Sequence, residues 1–236
     1  NIKKETFLFA TNDGVELFLD RYTSTTTYTT PQPAMIFAFG GGFVGGTRDR
    51  DFYQPYFNHL AENGIVVVSI DYRLGLKNLP SDASMIDMIG YLSNAVNIAV
   101  EDMYSATNYL IANAKEWNID TSKIMISGSS AGAITALQAE WLRDKGAELA
   151  KVLPEDFRYA GVVSCAGALF STKGKPKFSG SAAPMLLFHG TSDSNVPYNK
   201  ASVMGIGFYG SKYIAKNLTK EDGAYYFYSA EYVDHE

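Results

Sequence analysis

Ile124-Met125-Ile126-Ser127-Gly128-Ser129-Ser130-Ala131-Gly132-Ala133 confines the fold more than any other stretch of the chain. An apolar run with the character of a buried strand enters Gly128-x-Ser130-x-Gly132, and a helical pattern follows over residues 131–144. A strand that turns at once into a helix leaves little room for side chains at the crossing, and Gly128, Ala131 and Gly132 supply that room. The serine at the apex is pushed out beyond the sheet in a strained backbone conformation. The first helical turn offers free N–H groups and the positive end of its dipole to an anion formed beside that serine. Ser130 is therefore the candidate nucleophile, and the Ala131 N–H a candidate oxyanion donor. Taken alone, Gly-x-Ser-x-Gly matches any Gly/Ser-rich turn; the strand before it and the helix after it give it weight. Ser129 occupies the second position of the pattern and is read as a residue that packs or hydrogen-bonds locally.

Strand-like and helix-like segments alternate along the rest of the chain. Residues 4–9 and 15–22 flank Thr11-Asn12-Asp13-Gly14 and read as a hairpin. Apolar runs at 34–39, 65–70, 123–127, 159–165, 184–189 and 225–229 suit strands buried on both faces. Helical spacing covers 51–63, which closes on Asn63-Gly64. It also covers 85–117, as two helices or one bent one, and 131–144. Residues 201–218 are read as a further helix in spite of internal glycines. This order predicts an α/β fold with a mostly parallel central sheet, helices on both faces and an N-terminal β-hairpin. With no long linker and no internal repeat, one domain over residues 1–236 is expected.

Composition removes several function classes. The formal net charge is −5, from 25 acidic and 20 basic residues, without a Lys/Arg cluster evident along the sequence that would seize phosphate or another anionic head group. Nucleic acid is not an expected partner. Cys165 is the only cysteine, so an internal disulfide and a cysteine-based metal site are both ruled out, and its apolar setting reads as an inert packed thiol. No apolar run approaches the roughly 20 residues of a membrane span. The sequence starts with Asn1 rather than Met, which reads as a mature form with any signal peptide gone. A bacterial periplasmic or secreted location is expected ahead of a cytoplasmic one.

A second glycine segment, Phe39-Gly40-Gly41-Gly42-Phe43, begins where the strand at 34–39 ends. Consecutive glycines let a backbone approach another element closely and turn its N–H groups inward. Gly41 and Gly42 are the candidate donors that would complete an oxyanion hole with Ala131. The rival uses are a spacer loop or a phosphate cradle, but no lysine follows the glycines and the spacing is not that of a nucleotide fingerprint.

A serine hydroxyl needs a base to take its proton. The chain has three histidines, and in folds with this elbow the order along the chain is nucleophile, acid, histidine. Only His189 and His235 follow Ser130. Asp193 lies in the loop after the 184–189 strand and is the candidate acid, with a simple turn-forming role as its alternative. His235 follows the 225–229 strand and a short loop and is the candidate base. His189 is read as structural, tying the loop through its ring nitrogens, and remains the alternative base. His59 precedes both motifs and is read as a surface or packing histidine.

Phe39-Gly40-Gly41-Gly42-Phe43, Asp71-Tyr72-Arg73-Leu74, Gly128-Ser129-Ser130-Ala131-Gly132 and His189-Gly190-Thr191-Ser192-Asp193 resemble the carboxylesterase branch of the α/β-hydrolases. That branch includes hormone-sensitive-lipase-like esterases and bacterial acetyl and feruloyl esterases. The resemblance spans roughly residues 30 to 235. It implies a Ser130–Asp193–His235 triad, oxyanion donors at Gly41, Gly42 and Ala131, and support of the oxyanion loop by Asp71-Tyr72-Arg73. Phe39 stands where many members carry a supporting histidine, and the helix that usually follows the catalytic histidine is missing.

The expected activity is serine ester hydrolysis through an acyl-enzyme, with neither metal nor organic cofactor. The expected substrates are neutral esters of short-chain or aromatic acids, with acetyl or feruloyl groups on polysaccharide suggested by the resemblance and by the 16 tyrosines. Apolar residues between Leu79 and Val96 could cover the site or belong to a helix core. Serine peptidase, carbon–carbon or dienelactone hydrolase, and non-catalytic binding module are the competing readings.

Overall fold

A computed structural model describes residues 1–235. Two residues with positive φ, Asp13 at 49° and Gly14 at 76°, reverse the chain between β1 (Ile2–Asn12) and β2 (Val15–Ser24). Left-handed conformation at both positions matches the twist of the flanking strands, so the expected hairpin forms, with a register shift between Leu8 and Ala10.

The following elements are β3 (Gln32–Ala38), α1 (Gln54–Glu62), β4 (Val66–Ile70), α2 (Met85–Asn113), β5 (Ile119–Ser129) and α3 (Ala131–Asp144). Then come β6 (Gly161–Cys165), β7 (Ala168–Ser171), β8 (Met185–Gly190), β9 (Lys200–Val203), β10 (Ile206–Gly210), α4 (Ser211–Lys220) and β11 (Tyr225–Ala230). Eight strands form the main sheet in the order β1-β2-β4-β3-β5-β6-β8-β11. The hairpin and the β2–β4 pair are antiparallel, and every pair from β4 to β11 is parallel.

The central strands read as apolar runs because both of their faces are covered. Every residue of β4 is buried, as are Ile36, Ile124, Ile126, Val162 and Leu187. Helix α1 packs on β2 and β4, α2 and α3 pack together over β3 and β5, and α4 packs on β8 and β11. Helix α2 is a single helix of 29 residues. A capping box starts it: Ser84 accepts from the Asp87 N–H, and the Asp87 carboxylate accepts from the Ser84 N–H. From Ala95 onward it is largely core, while Met85 and Ile86 in its first turn are exposed.

The helix expected over 201–218 is corrected. Lys200–Val203 and Ile206–Gly210 are antiparallel strands that join β7 in a separate three-stranded sheet, and α4 begins only at Ser211. Met204 and Gly205 adopt positive φ between the two strands, a turn that a helix cannot accommodate. No helix among the described residues is long and apolar enough to cross a membrane.

Candidate active site

Four parallel strands end on the same edge of the sheet, and each delivers one component there. Strand β3 leads to Gly40–Gly42, β5 to Ser130, β8 to Asp193 and β11 to His235. This is the edge where open α/β sheets bind ligands.

Ser130 stands between β5 and α3 with φ 53° and ψ −117°, the strained conformation expected at the elbow. Close packing fixes it there. A Cβ on Gly128 would lie 2.2 Å from the Gly132 carbonyl carbon, and one on Gly132 would lie 1.9 Å from the Ala38 carbonyl oxygen. The Ser130 N–H donates to the Cys165 carbonyl at 2.9 Å, which anchors the elbow to β6. Ser129 pairs with Cys165 across the strands and lines the same cleft. Burial pushes the Cys165 thiol above its ordinary range, in keeping with an inert packed thiol.

The Ser130 hydroxyl lies 2.7 Å from Nε2 of His235, and Nδ1 of His235 lies 2.8 Å from Oδ2 of Asp193. The Asp193 side chain is fully buried. Its Oδ1 accepts from the N–H groups of Asn195 at 2.9 Å and Val196 at 2.8 Å, so its orientation is set by its own loop. The two segments are tied together by Asp234, which sequence reasoning passed over. Oδ1 of Asp234 accepts from Ser194 N–H and Oγ, both at 2.8 Å, and from the His235 N–H at 2.7 Å. These bonds lower the Asp234 pKa, with the Ser194 backbone bond the leading cause. Gly190 permits the approach, since a Cβ there would sit 2.2 Å from the Val233 carbonyl oxygen.

His189 has both ring nitrogens engaged elsewhere. Nε2 lies 3.0 Å from the Val196 carbonyl, which can only accept, so that nitrogen carries the proton. Nδ1 then accepts from Ser211 Oγ at 2.7 Å. Burial is the main cause that lowers its pKa and keeps it neutral, although Asp193 lies 3.2 Å away. His189 is thus a tie between loop and α4, as the sequence reading has it. His59 lies on α1 and does not line the cleft.

The glycine loop faces Ser130 from the other side. Among the described residues the N–H groups of Gly41 and Gly42 make no hydrogen bond, and the Ala131 N–H starts α3 where no intrahelical acceptor exists. Gly41 and Gly42 have φ of 149° and 65°, and a Cβ on Gly41 would lie 2.1 Å from the Gly45 carbonyl oxygen. Phe39 is stacked on Tyr72 with ring centroids 4.5 Å apart. The far end of the loop is clamped by Asp71, whose carboxylate accepts from Arg48 Nη1 at 2.9 Å and from the Phe18 N–H at 3.0 Å. Arg73 instead joins Asp102 on α2 to Asp13 in the hairpin turn, so only Asp71 and Tyr72 of the three act on the loop.

These groups open into a cleft of about 670 Å³ with largely apolar walls from Phe43, Leu76, Leu92, Ile134, Val196 and Phe208. Of the apolar residues between Leu79 and Val96, Leu92 lines the cleft and Val96 is core. Phe208 enters from β10, a contribution hidden as long as that segment reads as helix. Arg50, Phe52 and Tyr53 also line the cleft from the segment that leads into α1, and no motif in the sequence marks them.

Residues 19–151, more than half of the chain, match the BD-FAE family model. The chain belongs to the BD-FAE family. The matched part of this BD-FAE chain contains the glycine loop and the Ser130 elbow; Asp193 and His235 lie beyond it. It is 32% identical over 120 residues to Esterase B1 of Culex pipiens, covering 51% of this chain and 21% of that protein. It is 33% identical over 102 residues to the fumonisin B1 esterase of Sphingopyxis macrogoltabida, covering 43% and 18%. The chain thus matches only about a fifth of the length of these relatives. Esterase 2 of Thermogutta terrifontis with propionate bound superposes with a TM-score of 0.74 at 22% identity, over 98% of this chain and 84% of that one. That likeness establishes the shared fold.

Proposed function

We propose that this protein is a serine ester hydrolase in which Ser130 is the nucleophile, His235 the general base and acid, and Asp193 the residue that orients and stabilises the imidazole. One observation carries the reading: the continuous contact from Ser130 Oγ to His235 Nε2 to Asp193 Oδ2, beside a glycine loop with free N–H groups. His235 takes the Ser130 proton as Oγ forms a bond to the ester carbonyl carbon. Negative charge on the carbonyl oxygen is met by the N–H groups of Gly41, Gly42 and Ala131. The intermediate collapses, His235 protonates the departing alcohol, and an acyl-enzyme remains. Water, deprotonated by His235, then attacks the acyl carbon and releases the acid and Ser130.

The cleft supports neutral esters of short-chain or aromatic acids. Its apolar walls suit an uncharged acyl group, and Phe43 and Phe208 offer faces to an aromatic one. The related Thermogutta terrifontis esterase 2 has been described with propionate and with butyrate bound and phosphorylated by paraoxon, which supports short acyl groups on a reactive serine here. Acetyl or feruloyl groups on polysaccharide are the proposed physiological esters, and such a substrate places the reaction in the periplasm or outside the cell.

A series of p-nitrophenyl esters from acetyl to dodecanoyl, with methyl ferulate, acetylated xylan and a p-nitroanilide alongside, tests this reading. Acetyl and butyryl esters are expected to exceed dodecanoyl in kcat/KM by at least about tenfold, equivalent to about 1.4 kcal/mol. A maximum at long chains, or faster cleavage of the anilide, would contradict it.

A further inference from the structure

A second groove, of about 330 Å³, runs beside α4 and is edged by Lys175, Lys177, Lys200, Lys216 and Lys220. These lysines come from three separate segments: the loop before β8, the first residue of β9, and one face of α4, where Lys216 and Lys220 are four residues apart. The lysines of this chain that pair with carboxylates are Lys3, Lys4, Lys123 and Lys151. Among the described residues none of the five joins them. Glu221 is, among the described residues, the only acidic one that lines the groove. A chain with more acids than bases therefore gathers five unpaired cations at one place, where they repel one another. The dipole of α4 accounts for Lys220 in its last turn, but it does not account for the other four.

The groove is joined to the catalytic cleft through the small sheet. Pro197 lines the cleft, and Asn199 and Lys200, two and three residues further on, line the groove. Lys200 pairs with Tyr209 in β10, next to the cleft-lining Phe208. Tyr213, half-buried on the groove side of α4, contributes a ring against which a sugar can lie.

We propose that this lysine groove binds a carboxylate-bearing polysaccharide, such as a uronate-containing chain, and holds it beside the ester cleft. Uronate carboxylates recur along a sugar chain at intervals that separate cations can meet one by one, and Tyr213 supplies the apolar face that a pyranose ring needs. The site extends the esterase reading: it rests on that reading for its physiological purpose, but binding is measurable apart from hydrolysis.

The test is calorimetric titration of the intact protein with oligogalacturonate, with a neutral xylo-oligosaccharide and a single-stranded oligonucleotide of similar length as comparators. Lys200→Glu/Lys216→Glu serves as the variant, and hydrolysis of p-nitrophenyl acetate checks its fold. Oligogalacturonate is expected to bind, more weakly as salt is raised, and the double variant to lose about tenfold in affinity at unchanged turnover of the small ester. The inference is overturned if oligogalacturonate fails to bind at low salt, if the variant binds it undiminished, or if the neutral sugar or the oligonucleotide binds as tightly. Failure of the esterase reading would appear separately, as absence of turnover in the unmodified protein.

Discussion

The hydroxyl of Tyr72 donates to the carbonyl oxygen of Phe39 at 2.5 Å, with both residues buried. Phe39 is the residue before the glycine loop, so this bond fixes the point from which Gly40–Gly42 emerge. The phenol is held in its protonated, donating form, because burial raises the Tyr72 pKa far above its ordinary value. Tyr72→Phe would leave a buried carbonyl without its donor, at a cost of about 1–3 kcal/mol in stability. Urea denaturation should register that loss. Ester kinetics should register a fall in kcat larger than any rise in KM if, as proposed, the loop N–H groups act on the transition state. A variant with unchanged unfolding midpoint and kcat would deny Tyr72 its positioning role.

Gly41 is the most constrained of the proposed donors. An alanine there would be strained at φ 149° and would set its Cβ 2.1 Å from a carbonyl oxygen, so the loop must shift. Gly41→Ala is predicted to lower kcat on the order of 10²–10³-fold, the usual effect of losing one oxyanion donor. Circular dichroism should still report a folded protein. Full kcat in this variant would place the donor elsewhere.

The two histidines beyond the elbow should separate by mutation, and only His189 by its effect on stability. Burial lowers the pKa of His189, so the folded protein resists a proton that the unfolded chain accepts below about 6.5. Stability from this group is therefore present above that pH and is lost as pH falls through the lowered folded-state value. Melting temperatures measured from pH 8 downward should decline on the acid side, and His189→Gln should flatten that decline. Ester turnover should instead survive in His189→Gln and be lost in His235→Gln. Loss of turnover in His189→Gln with survival in His235→Gln would move the base to His189.

Much of this architecture is legible in the residue order because the central sheet is parallel and buried. Val66–Ile70 and Ile124–Ser127 read as strands since both faces need apolar side chains, and the elbow announces itself through the glycines that steric contact with Ala38 and Gly132 demands. The order Ser130, Asp193, His235 follows from the strand ends. The hairpin of β9 and β10 was hidden because Ala201, Met204 and Phe208, at i, i+3 and i+7, mimic a helical stripe; Gly205 and Gly207, both at positive φ, were the better signal. The cleft walls were hidden for another reason. Phe208, Leu92 and Phe43 meet only through tertiary packing of distant segments, and no local pattern encodes that meeting.

Ser130 is proposed as a nucleophile activated by His235. Treatment with diethyl p-nitrophenyl phosphate, followed by peptide mass spectrometry, tests it most directly. One diethylphosphoryl group per chain is expected on Ser130, with parallel loss of p-nitrophenyl acetate hydrolysis, and neither labelling nor hydrolysis is expected in Ser130→Ala. Labelling at another residue, or full hydrolysis by Ser130→Ala, would contradict it.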